Sequence, residues 1–295
     1  MNIPPFKVAL FGNTYQTKKN VYVEKVLKKL ISMGAKACIE KDFAEFIHQH
    51  LDIDLSPLEC FDCSSLQADY AISMGGDGTF LNTAAQIGSR GIPILGINTG
   101  RLGFLADVSP DMIDEGLEAL YRKECITEQR TLIRVERNGE PLTEYPCALN
   151  EVAVLKHDNS SLIEIQTSIN GEPLTNYMAD GLIVCTPTGS TGYSLSAGGP
   201  IIEPRSNSFC LSAVAPHSLS MRPVIVCDDA EIELTVRSRS HNFLVSIDGR
   251  SHSYPEGTTL TLRKAPFTIG VVKVKHKVFF DTLRDRMMWG VDQRL

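Results

Sequence analysis

The hydrophobic and polar positions of the N-terminal part of the chain alternate between two periods. Continuous apolar runs of strand length lie at 7–12, 37–40, 68–74 and 92–98. Apolar residues at helical spacing follow these runs and predict helices over 20–35, 41–51, 80–91 and 109–123. Strands that alternate with helices in this way predict a Rossmann-like α/β domain, with a parallel sheet covered by helices on both faces.

The pattern changes after the fourth predicted helix, where short strands bounded by turn residues replace the helices. Asn138-Gly139 and Asn170-Gly171 are strong signals for two-residue hairpin turns. The short strands predict an all-β sandwich. The C-terminal segment predicts a helical tail that returns to the first domain. We therefore expect an α/β domain over 1–125, joined by the tail 275–295, and a β domain over 126–274.

Composition and charge narrow the class of protein. The chain has 29 Lys and Arg against 35 Asp and Glu, a net charge of −6 that argues against a nucleic-acid partner. No run of 18 apolar residues predicts a membrane span, and the N-terminal apolar run is too short for a signal peptide. We therefore expect a cytoplasmic protein with reduced thiols. The pair Cys60 and Cys63 lacks the second ligand pair that a zinc site needs.

The loop Gly-Gly-Asp-Gly-Thr follows a predicted strand and precedes a predicted helix. Its glycines, Gly75, Gly76 and Gly78, allow a phosphate to come close to the backbone. The helix would direct its first N–H groups and its positive dipole end at that anion. Asp77 is open to two interpretations: the N-cap of the helix in an ordinary turn, or a carboxylate that takes a proton from an attacking hydroxyl or holds a metal.

Three further segments carry groups of the same kind. Residues 97–107 place glycines and Phe104 after the next strand, where the ring belongs either to the core or against a base. Asn150 and Glu151 stand in an otherwise apolar strand, where they form a hydrogen-bond network or bind ribose hydroxyls. Both reach one ligand only if a bulge breaks the strand alternation. Residues 179–204 combine glycines with hydroxyl groups, which suits a ligand with base, sugar and phosphate.

In order along the chain, these motifs resemble those of the NAD kinase family. The matching segments are GGDGT at 75–79, NTGRLGFL at 98–105, Asn-Glu at 150–151, DGLIVCTPTGSTGYSLSAGGP at 180–200 and PHSLSMRP at 216–223. GGDGT alone also occurs in lipid kinases of the diacylglycerol and sphingosine type, whereas the segment at 180–200 is far more specific. An α/β domain followed by a β domain is also similar to the layout of this family.

The resemblance implies transfer of the γ-phosphoryl group of ATP, or of another phosphate donor, to the 2′-hydroxyl of the adenosine ribose of NAD. It implies Mg²⁺ or another divalent cation, Asp77 as the general base, and a phosphate loop of Gly75, Gly76, Gly78 and Thr79. The implied NAD-binding residues are Asp77, Gly78, Phe104, Asn150, Glu151, Asp180, Thr191, Gly192, Tyr193, Ser194, Leu195 and Ser196, with Asp248 as a further candidate. It also implies a homodimer or homotetramer, in which Asp180 reaches the nicotinamide end from the neighbouring subunit.

The chain departs from the family pattern at two positions. The family usually has Ala where this chain has Gly192, and many members have a basic residue where this chain has Met178. Two other functions remain as alternatives. A lipid kinase would share the GGDGT loop but should expose an apolar groove or a basic patch for membranes, and the sequence pattern indicates neither. A non-catalytic NADP(H) sensor is disfavoured by the intact Asp77.

Overall fold

The computed structural model describes residues 6–14, 20–62, 65–100, 103–158, 162–274 and 279–289. The chain divides into two compact units. Unit 1 comprises Met1–Gln129 and Ile269–Leu295, and unit 2 comprises Arg130–Thr268. Some residues of the predicted motifs and tail lie outside the described residues: Cys63, Arg101, Leu102, 275–278 and 290–295. Among the described helices, none is long and apolar enough to cross a membrane.

Unit 1 is built on a seven-stranded sheet. Its strands are β1 (Lys7–Gly12), β2 (Lys36–Glu40), β3 (Glu59–Phe61), β4 (Tyr70–Gly75), β5 (Ile94–Asn98), β6 (Ile126–Arg130) and β20 (Ile269–Lys273). They lie in the order β3-β2-β1-β4-β5-β20-β6, and neighbours from β3 to β20 are parallel. The chain order reverses between β1 and β4. Ligands of open parallel sheets bind at the carboxyl ends of strands beside such a reversal.

Helices cover this sheet as the apolar periodicity predicts. The described helices of unit 1 are α1 (Asn20–Ser32), α2 (Lys41–His50), α3 (Asp77–Ile87), α4 (Ile113–Arg122) and α6 (Phe279–Met287), with 3₁₀ turns at Gly88–Arg90 and Pro110–Met112. In α2 the Glu40 carboxylate accepts hydrogen bonds from the N–H groups of Asp42 and Phe43, which satisfies donors that a helix start leaves unpaired. The buried face of α2, including Phe43 and Ile47, packs into the core of the unit.

The strand β20 lies in unit 1, although the sequence pattern assigned it to the β domain. It lies between β5 and β6, and its five residues are buried. The second unit therefore spans 130–268 where the sequence placed a domain over 126–274. A short continuous apolar run fits a parallel sheet and a sandwich core equally well, so periodicity alone could not assign this strand.

Unit 2 contains two antiparallel sheets. Its strands are β7 (Ile133–Arg137), β8 (Glu140–Pro141), β9 (Cys147–Ala148), β10 (Glu151–Lys156), β11 (Ile163–Ile169), β12 (Glu172–Ala179), β13 (Gly181–Cys185), β14 (Ser208–Val214), β15 (Val224–Cys227), β16 (Ile232–Arg237), β17 (Asn242–Ile247), β18 (Arg250–Pro255) and β19 (Thr259–Lys264). One sheet has the order β15-β14-β13-β10-β17-β18, and the other has β12-β11-β16-β19-β7-β8, with β9 beside β7. A short helix, α5 (Tyr193–Ser196), follows a 3₁₀ turn at Thr188–Thr191.

The two sheets of unit 2 share one core, so the predicted sandwich is confirmed. Val152 and Val184 of one sheet join Ile165 and Leu234 of the other in a single cluster of buried side chains. The predicted Asn-Gly hairpin turns are also confirmed. Asn170, for example, has φ 52° and its glycine follows with φ 79°, the left-handed conformations that a type I′ turn requires.

The tail returns to unit 1, as the sequence predicts. Its helix α6 buries Thr282 and Leu283, whereas Phe280 on the same helix is exposed. The same helix also buries the guanidinium group of Arg286. A charged group from the end of the chain is thereby placed inside the α/β unit.

Candidate active site

The glycine-rich loop joins β4 to α3. Gly75 ends the strand, Gly76 is the N-cap and Asp77 is the first helical residue. A Cβ on Gly75 would lie 2.1 Å from Oγ1 of Thr79, so the turn itself excludes a side chain there. A Cβ on Gly76 or Gly78 would meet nothing within 4 Å. These two glycines therefore leave open space beside the helix N-terminus, where a phosphate group can approach the backbone.

The Asp77 carboxylate accepts three hydrogen bonds from consecutive backbone N–H groups. Phe104 donates to Oδ2 at 2.7 Å, and Leu105 and Ala106 donate to Oδ1 at 3.0 and 3.3 Å. A Cβ on Gly103 would lie 2.0 Å from Oδ1, so only glycine fits against this carboxylate. The interpretation of Asp77 as the N-cap is wrong, because Gly76 holds that position. Oδ2 accepts one of these bonds and retains a lone pair for another donor.

The predicted pair Asn150 and Glu151 lies at the start of a strand and not in its middle. β9 ends at Ala148 and β10 begins at Glu151, so strand alternation does not separate the two side chains. A Cβ on Gly192 would lie 2.7 Å from Glu151 Oε2 and 3.4 Å from Asn150 Nδ2, so both side chains reach the same loop. Asn150 Oδ1 and Glu151 Oε2 are buried without a hydrogen-bond partner. Unsatisfied buried acceptors are costly, and a bound ligand with hydroxyl groups would satisfy both of these.

Asp248 organises the backbone of this pair. It lies in the turn between β17 and β18 with φ 48°, a left-handed conformation that Asp tolerates. Its carboxylate accepts hydrogen bonds from the N–H groups of Leu149, Asn150 and Glu151 at 2.7, 2.9 and 3.0 Å. The sequence indicated Asp248 only as a further candidate, and its Asp-Gly turn between two strands was the available signal.

The carboxyl group of Glu151 is perturbed by burial and by its neighbour Asp248. Burial, and secondarily the negative charge of Asp248, raises the pKa of Glu151 to about 7, against a smaller opposing effect of the Tyr193 N–H. Burial also raises the pKa of Asp248, although its three N–H donors oppose that shift. Glu151 therefore changes charge near neutral pH, which is unusual for a carboxyl group and common in binding and catalytic sites.

The loop after β13 is tied to the Asn150 backbone. Thr186 donates its hydroxyl to the Leu149 carbonyl at 2.5 Å and accepts from the Gly189 N–H at 3.1 Å. A Cβ on Gly189 would lie 2.1 Å from the Asn150 carbonyl oxygen, so the two backbones touch here. The sequence suggested that the hydroxyl groups of this segment bind a ligand. The Thr186 hydroxyl instead holds the loop in place.

The side chains of the predicted ligand-binding stretch 191–196 differ in their exposure to solvent. Tyr193 is 40% exposed, whereas Ser194 is fully buried and its hydroxyl lies 3.0 Å from that of Ser212. Thr191 donates to the Thr188 carbonyl at 3.4 Å. The exposed side chains available to a ligand in this stretch are those of Tyr193 and Ser196.

Asp180 lies apart from the Asn150–Glu151 pair within one chain. It precedes β13, while the loop just described follows that strand, so about 16 Å of strand separates the two ends. The Asp180 carboxylate forms an ion pair with Lys156 at 2.7 Å. Met178, where a basic residue was expected from the resemblance, is 45% exposed.

Among the described residues, no group of three His, Cys, Asp or Glu side chains is close enough to hold a metal ion. The Asp77 oxygens already accept three N–H groups, so this carboxylate is a poor match for a metal that prefers a shell of free oxygen ligands.

Comparison with known protein families gives matches in both units. Residues 8–125 match a family described as the ATP-NAD kinase N-terminal domain, and residues 149–274 match the ATP-NAD kinase C-terminal domain. An NAD kinase of Bacteroides fragilis is 52% identical over 289 residues, which covers 98% of this chain and 100% of that protein. An NAD kinase of Porphyromonas gingivalis is 42% identical over 290 residues, 98% of this chain and 99% of that protein.

Two solved structures resemble the described architecture. The crystal structure of yeast NADH kinase complexed with NADH has a TM-score of 0.86 at 23% identity, covering 100% of this chain and 91% of that one. An NAD kinase from Archaeoglobus fulgidus in complex with ATP has a TM-score of 0.75 at 26% identity, covering 96% and 98%. The likeness to the yeast NADH kinase shows a shared fold.

Proposed function

The chain belongs to the NAD kinase family, and from that premise we propose how its residues share the reaction. The protein is a phosphotransferase that moves the γ-phosphoryl group of ATP to the 2′-hydroxyl of the adenosine ribose of NAD and so gives NADP. The lipid-kinase and sensor alternatives are not favoured, because NAD kinase domains match both units and a relative 52% identical over nearly the whole chain is an NAD kinase.

Asp77 acts as the general base in this proposal. The observation that carries it is the carboxylate held by three N–H groups, with one lone pair on Oδ2 left over, beside the open space at Gly76 and Gly78. That lone pair accepts the 2′-hydroxyl proton while the ribose oxygen bonds to the γ-phosphorus and the bond from that phosphorus to the bridging oxygen of ADP breaks. Because such transition states are loose, orientation of the hydroxyl matters more than strong basicity.

The phosphate loop consists of Gly75, Gly76, Gly78 and Thr79 at the N-terminus of α3. Its open N–H groups and the helix dipole are suited to phosphate oxygens. A divalent cation such as Mg²⁺, which the resemblance to the family implies, would neutralise part of the charge of the ATP phosphates.

The proposed NAD-binding groups of unit 2 are Asn150, Glu151, Asp180 and residues 191–196, and those of unit 1 are Asp77, Gly78 and Phe104. Asn150 Oδ1 and Glu151 Oε2 accept hydrogen bonds from ribose hydroxyls, and their lack of other partners supports this role. Residues 191–196 and Phe104 line the adenine and ribose. As the resemblance to the family implies, Asp180 reaches the nicotinamide end from a neighbouring subunit of a homodimer or homotetramer; its position at the opposite end of β13 from the Glu151 loop supports this. We expect the protein in the cytoplasm.

The test is formation of NADP from NAD, or of NADPH from NADH, by the purified protein with ATP or polyphosphate and Mg²⁺, read out with an NADP-specific dehydrogenase. We expect Asp77→Asn to lower kcat by about 10²–10⁴-fold, the usual contribution of a positioned base, with NAD binding retained in an equilibrium titration. Asp54→Asn is the matched control, since Asp54 also accepts a backbone N–H, from Ser56, in an exposed turn. Normal turnover by Asp77→Asn would remove the base assignment.

A further inference from the structure

A buried cluster of charges connects the tail helix to the loop that holds Asp77. Asp107 forms ion pairs with Lys273 at 2.7 Å and with Arg286 at 3.9 Å. The side chain of Asp107 is only 10% exposed, that of Lys273 9% and that of Arg286 3%. Lys273 is the last residue of β20, and Arg286 lies near the end of α6. Two elements distant in sequence thus meet one carboxylate.

Asp107 is the residue directly after the Asp77-binding loop. The N–H groups that Asp77 accepts belong to Phe104, Leu105 and Ala106, so the position of Asp107 fixes the C-terminal end of that short segment. The following residue, Val108, is bound to β5 through its N–H, which donates to the Gly96 carbonyl at 3.1 Å. The loop is therefore anchored to the sheet at Val108 and to the tail through the Asp107 carboxylate.

Packing alone does not account for Arg286. Its Nε and Nη1 atoms are buried without hydrogen-bond partners, as is Asp107 Oδ1. Removing a guanidinium group from water is costly, and an apolar side chain would fasten a helix to a core at lower cost. Burial lowers the pKa of Arg286, and the negative charges that oppose this are those of Asp107, then Asp77 and then Asp285.

We propose that Arg286 is a positioning residue for phosphoryl transfer: together with Asp107 and Lys273 it fixes the loop whose N–H groups hold the Asp77 carboxylate. The inference rests on the proposed role of Asp77 as the base. The C-terminal helix thereby contributes to the rate, because a displacement of the loop would move the lone pair that orients the 2′-hydroxyl. A misplacement of about 1 Å in such a group costs on the order of a hundredfold in rate.

The experiment compares Arg286→Met, Arg286→Lys and Arg284→Met in the full-length protein. Methionine keeps much of the side-chain volume without the charge, and lysine keeps the charge without the planar fork. Arg284→Met is the matched control, because Arg284 lies on the same helix, is 58% exposed and pairs only with Asp281 among the ion pairs described. For each variant we would measure kcat, the KM values for NAD and ATP, the melting temperature and the folded fraction by circular dichroism.

We expect Arg286→Met to lower kcat about 10- to 100-fold with KM for NAD within about twofold, and Arg286→Lys to recover part of that loss. Arg284→Met should keep the kcat of the unchanged protein. The proposal is overturned if Arg286→Met lowers the melting temperature but keeps its kcat per folded molecule. If Arg286→Met does not fold, Asp107→Asn, which keeps the shape of the side chain, takes its place with the same expected split between kcat and KM.

Asp77→Asn, assayed in parallel, separates the two proposals. If Asp77→Asn loses turnover and Arg286→Met does not, the base assignment stands and the positioning role fails. If Asp77→Asn turns over normally, the base assignment fails, and a loss in Arg286→Met then cannot act through Asp77. A loss of kcat in both variants, with KM for NAD unchanged, supports both the base assignment and the positioning role of Arg286.

Discussion

The two units each contain an aspartate whose carboxylate accepts three consecutive backbone N–H groups, and the surroundings of the two differ. Asp77 in unit 1 holds residues 104–106 and begins a helix next to glycines with open space beside them. Asp248 in unit 2 holds residues 149–151 from a left-handed turn, next to a second carboxyl group, Glu151. The same hydrogen-bond pattern is therefore used twice along the chain.

The difference in surroundings supports the proposed roles, in which the Asp77 carboxylate reacts and the Asp248 carboxylate organises the backbone. Asp77 keeps a lone pair on Oδ2 at a site that a phosphate can approach, so it can take part in proton transfer. Asp248 divides its three N–H groups between its oxygens in the same way, but it lies beside the Glu151 carboxyl group, and burial raises its pKa despite the three donors. The residues that it positions carry two buried acceptors without hydrogen-bond partners, Asn150 Oδ1 and Glu151 Oε2. We therefore assign chemistry to the first aspartate and ligand geometry to the second.

Asp248→Asn tests this assignment most directly when it is measured beside Asp77→Asn. The amide keeps one acceptor oxygen and turns its NH₂ group toward N–H donors, so at least one donor of residues 149–151 loses its partner. Leaving one such buried group unpaired costs about 1–3 kcal/mol. We expect the free energy of unfolding to fall by about that amount and KM for NAD to rise roughly tenfold, since 1.4 kcal/mol corresponds to a factor of ten.

The two variants should show opposite kinetic signatures. Asp77→Asn should lose kcat with NAD binding retained, whereas Asp248→Asn should lose NAD affinity and keep most of its kcat at saturating NAD. Ser253→Ala, on the exposed face of the neighbouring strand β18, is a control for general damage to this hairpin. If Asp248→Asn instead loses kcat at unchanged KM, the division of roles between the two aspartates is incorrect.

How far the sequence predicted this molecule depends on whether a feature is local. Helices, hairpin turns and the sandwich follow from periodicity and from Asn-Gly pairs, and these predictions are confirmed. The place of β20 in the first sheet depends on contacts between residues far apart in the chain. The same holds for the hydrogen bonds between Asp77 and residues 104–106. Motif spacing identified Asp77 and Phe104 as candidate site residues. The hydrogen bonds to Asp77 and the charge cluster at Asp107 could be seen only in the structure.

The pH dependence of stability should reflect the two neighbouring carboxyl groups of unit 2, Glu151 and Asp248. The pKa of Glu151 rises from 4.5 to about 7, mainly by burial, so the folded state favours the neutral carboxyl. Its contribution to stability is fully present below about pH 4.5 and is lost as the pH rises through about 7. A rise of this size corresponds to something on the order of 3 kcal/mol.

Glu151→Gln removes this titration and keeps the shape of the side chain. Urea unfolding of the unchanged protein and of Glu151→Gln at pH 5, 6 and 7.5 isolates the effect, because the other groups contribute similarly to both. The stability of the unchanged protein should fall relative to that of Glu151→Gln as the pH rises over this interval. Parallel curves would show that Glu151 keeps an ordinary pKa and that the two aspartates stand in more similar surroundings than the comparison states.

Gly192→Ala should give the smallest effect, and it probes the same carboxyl group from the side of the loop. The new Cβ would lie 2.7 Å from Glu151 Oε2, which is the far end of a flexible side chain and can move by a few tenths of an ångström. We expect KM for NAD to rise about two- to threefold with kcat unchanged, because a distortion worth well under 1.4 kcal/mol changes affinity by less than tenfold.

Gly189→Ala provides the contrast for this last substitution. Its Cβ would lie 2.1 Å from the carbonyl oxygen of Asn150, which is backbone and cannot move without displacing the N–H groups that Asp248 holds. Gly189→Ala should therefore raise KM for NAD far more than Gly192→Ala and lower the melting temperature. Shortening the carboxyl side chain with Glu151→Asp should abolish the small effect of Gly192→Ala, since it removes the contact. If Gly192→Ala still raises KM in the Glu151→Asp protein, the loop acts on NAD by another route than Glu151.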